Sequence, residues 1–95
     1  MKTKLEPHPT IEVANRILEV FPDIPMSVLY NKEEDEYFFV NHDSEIYYSD
    51  PFLEVVMKIR TEYLWVNCIL NYSFITSDVA EDFHPNETVI KTYNL

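Results

Sequence analysis

The chain has 95 residues, of which 17 are acidic and 7 basic, giving a formal net charge of −10 alongside 46% hydrophobic and 15% aromatic side chains. That length and apolar content suit one domain, 1–95, with a single core. The charge disfavours direct nucleic-acid binding through phosphates and repels an anionic membrane surface, but attracts a basic protein partner.

Glycine is absent, where an average chain of this size carries about seven. Phosphate-cradling loops and dinucleotide fingerprints need a backbone that glycine alone supplies, so nucleotide chemistry of those types is excluded. Turns must be made by Asn, Asp and Pro. The opening MKTKLEPHPT has lysines but no apolar run, so no secretory signal is read there. Lys58, Arg60 and Glu62 interrupt the only stretch that approaches the roughly 18 apolar residues of a membrane span. A cytoplasmic location is the expectation, and the sequons at Asn71 and Asn86 then carry no weight.

Residues 1–9, with Pro7 and Pro9 around His8, read as a flexible arm. Thr10 is placed as the N-cap of a first helix, in which Ile11, Ala14, Ile17, Leu18 and Phe21 recur at helical spacing up to Pro22. Met26–Asn31 and Glu36–Asn41 are rich in β-branched and aromatic residues and are joined by Lys32, Glu33, Glu34 and Asp35, which predicts a hairpin. The second run is apolar on both parities, so it is predicted to be a central strand covered on both faces. Glu45–Tyr48 is read as a third strand of a meander.

Asp50 as N-cap and Pro51 behind it announce a second helix, whose buried face runs through Phe52, Val55, Val56, Ile59 and Tyr63. Leu53 and Met57 are expected to widen that face, and Glu54 and Lys58 are spaced for a weak ion pair. From Tyr63 to Thr76 the parity of Val66, Cys68, Leu70, Tyr72 and Phe74 predicts a long strand. The competing reading is one unbroken helix from Pro51 to about Ile75. The strand reading makes Cys68, the only cysteine, a buried small hydrophobe. Residues 77–95 are read as a loosely ordered tail or edge strand, with Thr88–Tyr93 either a short final strand or an ordered tail along an edge. The fold class is therefore α+β: two helices on one face of a four-stranded, mainly antiparallel sheet, in the order helix, three-strand meander, helix, strand.

Two clusters contain metal-ligand residue types: His42, Asp43 and Glu45, and Asp78, Glu81, Asp82, His84 and Glu87. Neither has the paired His or Cys ligands of a zinc site or the alternating oxygens of a calcium loop, so no metal or cofactor is expected. Cys68 has no histidine near it in sequence, and no serine sits in a nucleophile-elbow context. The expected protein is not an enzyme. Its charge exceeds the magnitude of about 2 to 8 that solubility favours in a small domain. The reading is a protein-interaction module of the inhibitor, immunity or nucleic-acid-mimic type, presenting Glu33, Glu34, Asp35, Glu36, Asp43 and Glu45 to a basic surface. The alternatives are a small enzyme or metal- or ligand-binding domain using His42 or His84 with nearby carboxylates, and a structural or accessory domain.

Overall fold

A computed structural model describes residues 8–95; residues 1–7 of the predicted arm 1–9 lie outside them, and His8 and Pro9 belong to the start of the first helix. The elements in order are helix α1 (Pro9–Val20), strands β1 (Met26–Asn31) and β2 (Glu36–Asn41), helices α2 (Ser44–Tyr47) and α3 (Asp50–Ile59), a π-helical turn (Arg60–Leu64), strand β3 (Tyr72–Thr76), helix α4 (Ser77–Phe83) and strand β4 (Thr88–Tyr93). The fold is α+β around a mixed four-stranded sheet of order β3-β2-β1-β4. β1 pairs antiparallel with β2 and with β4, whereas β2 and β3 run parallel. A parallel neighbour needs a crossover, which the segment holding α2 and α3 supplies.

β2 has cover on both faces, as its double apolar parity requires. Phe39 joins Val13, Ala14 and Ile17 of α1, Phe52, Val56 and Ile59 of α3, and Val28, Leu64 and Phe74 in the larger core. Phe38 and Val40 meet Leu29, Ile75 and Ala80 of α4 on the opposite face. Burial of side chains this size stabilises by about 1.5–3 kcal/mol each. Thus α1 and α3 share one side of the sheet, and α4 covers the other. β4 touches neither helix layer strongly, and five of its six residues are exposed.

Several expectations are corrected. His8, not Thr10, caps α1: its Nδ1 accepts from the Thr10 N–H at 3.2 Å. Pro9, which has no N–H to satisfy, occupies the first turn, and Thr10 is buried. Ser49 rather than Asp50 stands at the cap of α3. Leu53 and Met57 are about half exposed, at 50% and 51%, and Glu54 and Lys58 do not close to ion-pair distance.

The predicted third strand at 45–48 is helical. Asp43 takes the Ile46 N–H on its carboxylate at 3.0 Å and so starts α2, while β3 occupies the place beside β2. The long strand begins at Tyr72, not Tyr63. The helix runs past Ile59 through one wider turn, in which the Trp65 N–H reaches the Arg60 carbonyl at 2.8 Å. That extra residue places Leu64, five after Ile59, on the buried side. The chain therefore follows helix then strand, not one unbroken helix, with the boundary well downstream of the predicted one.

Val66 and Leu70, which carried the apparent alternation, are 69% and 79% exposed in the connecting turns. Cys68 is exposed as well, at φ 57°. Residues 77–83 form α4, where a loosely ordered tail was expected, and Thr88–Tyr93 takes the strand alternative of that reading. No helix among the described residues is long and apolar enough to cross a membrane.

Candidate functional site

The β1–β2 turn carries four of the six predicted residues. With no glycine available, Asp35 takes the positive-φ position (φ 51°), a conformation that Asp tolerates better than most residues. Three bonds hold the turn. The Glu34 N–H donates to Asn31 Oδ1 at 2.8 Å, the Tyr30 hydroxyl to Asp35 Oδ1 at 2.8 Å, and Asn71 Nδ2 to the Asp35 carbonyl at 2.8 Å. The bond to Asp35 retains the Tyr30 phenolic proton and raises that pKa above its ordinary value. Glu33 and Glu34 point into solvent from this braced turn, while Glu36 is half-buried and accepts from Ser73 Oγ at 3.3 Å.

Asp43 and Glu45 lie beyond the other end of β2. They do not form a second hairpin tip: Asp43 is half-buried and spent as the α2 cap, and Glu45 is exposed in the first turn. A six-residue strand separates the two acidic groups, about 17–20 Å. The six residues thus divide into exposed carboxylates (Glu33, Glu34, Glu45), one exposed but bonded (Asp35), and two engaged in structure (Glu36, Asp43).

The basic side chains leave most of these charges unbalanced. Among the described residues, the one Lys or Arg to carboxylate contact is Arg16–Glu12, 2.6 Å on α1. Arg16 also lies 4.9 Å over the Tyr63 ring, Arg60 lies 5.4 Å over Phe74, and Lys91 lies 5.3 Å over Tyr93.

Aromatic rings form a ladder across the sheet. Tyr30 and Tyr37 have centroids 4.7 Å apart, Tyr37 and Tyr72 5.0 Å, and Tyr72 and Phe39 5.5 Å. Burial, followed by the neighbouring Tyr37, pushes the Tyr72 phenol well above its ordinary pKa. These rings pack across strands. The large rings left in solvent are Trp65, Tyr48 and Phe83, at 57%, 70% and 74%.

His42 and His84, far apart in the chain, line one groove. On the α4 side of the sheet, two clefts follow β1 end to end and share a wall of His84, Pro85 and Glu87. The first, about 410 Å³, opens at the acidic turn and is lined by Tyr30, Lys32, Glu33 and Phe83 among others. The second, about 290 Å³, runs on over Leu29, Val40, Ala80 and Val89 to Ser27 and His42. A β-bulge between Val28 and Leu29 lets Val89 and Thr92, three residues apart, both face it. Leu95 completes its lining, held in place because Asn94 Nδ2 donates to the Pro22 and Ile24 carbonyls at 3.0 Å.

Within the groove, Glu87 Oε2 takes His84 Nδ1 at 3.1 Å and Asn31 Nδ2 at 3.0 Å, and the His84 ring stacks 4.1 Å from Phe38. His42 Nε2 lies 2.8 Å from Ser27 Oγ, the reach of a nucleophile and its base. Ser27 itself lies within the sheet, where β1 is paired on both sides, with Val40 and Thr92. Among the described residues, no group of three or more His, Cys, Asp or Glu side chains is placed to hold a metal ion. No family model, curated protein or solved structure matches this chain.

Proposed function

We propose that the protein is a non-enzymatic interaction module that presents a fixed acidic surface to a basic protein partner and acts by occlusion. The observation that carries this reading is the near-absence of internal neutralisation among the described residues. Arg16, Arg60 and Lys91 rest on aromatic rings, and only Glu12 meets one of them as a carboxylate. The negative field therefore acts outward, and it acts from a braced β1–β2 turn that loses little entropy on docking. Glu33 and Glu34 provide the charge at that turn. The exposed Tyr48 and Trp65 are of the residue types that anchor interfaces.

The test separates location from total charge. Proteins captured from the producing cell by the wild-type chain are compared with those captured by Glu33→Lys/Glu34→Lys and by Glu54→Lys/Glu62→Lys, which change net charge equally. Loss of a basic partner with the first variant alone supports the reading. Equal capture by all three overturns it.

A further inference from the structure

We propose that the second cleft on the α4 side is an anchor site for a lysine or arginine side chain of the basic partner. The inference rests on the acidic-surface reading and names where that surface grips. The floor of the cleft is aliphatic, made by Leu29, Val40, Ala80 and Val89, which suits the methylene stem of a long cationic side chain. Its charged lining is Glu81 and Glu87, with no Lys or Arg. Lys91, the one cation on β4, lines the opposite side of the sheet with Val28 and Tyr93.

Glu87 is built to receive a further donor. Its side chain is only 12% exposed, and both of its protein donors, His84 Nδ1 and Asn31 Nδ2, converge on Oε2. Oε1 receives no hydrogen bond from another described residue and is open to a donor from outside, on a carboxylate held in orientation through Oε2. A charge-assisted bond in such a place is stronger than one in open solvent. A carboxylate or phosphate ligand would meet Glu81 and Glu87 with no Lys or Arg in the lining, where His42 and His84 are the other titratable side chains, and a purely apolar ligand would make no use of Oε1.

The probe is n-butylammonium, with n-butanol and n-butyrate as controls of matched stem. Each is titrated into the wild-type chain while the backbone amides of Leu29, Ala80, Glu81 and Val89 are followed by NMR. The expected result is saturable binding of the ammonium alone, weakened about threefold or more by Glu87→Gln. Glu81→Gln, at an exposed position with no structural bond, must weaken it too. Absence of saturable shifts with butylammonium, equal shifts with butanol, or unchanged affinity in either variant overturns the site. This measurement needs no partner, so its failure is distinguishable from failure of the capture experiment.

Discussion

Cys68 sits in the left-handed region at φ 57° with its thiol in solvent. A residue with a Cβ pays about 1 kcal/mol or more for that conformation, and no local side-chain bond of the Asn or Asp kind offsets it. Cys68→Gly is therefore expected to raise stability by about 0.5–1 kcal/mol, after allowance for the freer unfolded chain. The check is the urea midpoint at constant slope; a lower midpoint contradicts it. The same exposure means that the wild-type thiol should react with a disulfide reagent in the native state. The parity argument misplaced this residue because Val66, Cys68 and Leu70 alternate in sequence while lying in turns, where alternation has no geometric meaning.

Tyrosine protonation is a second matter settled residue by residue. Burial raises the pKa of Tyr72 and Tyr47 above the ordinary 10.0, with Tyr37 adding to the first and Tyr48 to the second. In the unfolded chain these phenols ionise at their ordinary value, while the fold keeps them neutral to higher pH. Their contribution is therefore fully present below pH 10.0 and is lost as pH rises from there towards the folded values. The melting temperature should fall above that point, and Tyr72→Phe should fall less steeply. Parallel pH profiles for the two chains would show that Tyr72 is not responsible.

At the scale of elements, α2 depends on one side chain. Asp43 accepts the Ile46 N–H, and the four-residue helix it starts places Tyr47 so that its hydroxyl donates to the Phe74 carbonyl at 2.8 Å. Asp43→Ala should cost about 1 kcal/mol and Asp43→Asn only a fraction of that, because Asn retains the cap. Thermal or urea unfolding distinguishes them; equal losses would assign the effect to charge instead. A protein-stability role for Asp43 also removes it from the set of freely available acids.

The hairpin and the first helix were legible because local chemistry and tertiary placement agree there: β-branched runs flank a polar link, and apolar residues repeat at helical spacing. Glu45–Tyr48 was not, since its β-like composition yields to a cap and to an occupied sheet position. The helix from Ser77 was missed for a related reason: Ala80 is its one buried residue, so almost no apolar stripe marks it. The groove was illegible altogether, because His42 and His84 meet only through the pairing of β1 with β2 and β4.

For the molecule as a whole, what matters is the asymmetry between the two sides of the sheet. α1 and α3 seal one side over the larger core. α4 covers only part of the other, through Ala80, and the uncovered remainder is the groove between the two acidic ends of β2. A domain with both sides sealed would display its carboxylates only as a diffuse field. Here Glu33, Glu81 and Glu87 border a concave surface, which can discriminate among basic partners by shape as well as by attraction.

The fixed position of Leu95 has a practical consequence. Asn94 clamps the chain against the Pro22–Ile24 segment, so whatever is fused after Leu95 starts at the mouth of the second cleft. An affinity handle or fluorophore attached there would compete with any guest and mimic loss of recognition, whereas a handle ahead of α1 would leave the mouth open.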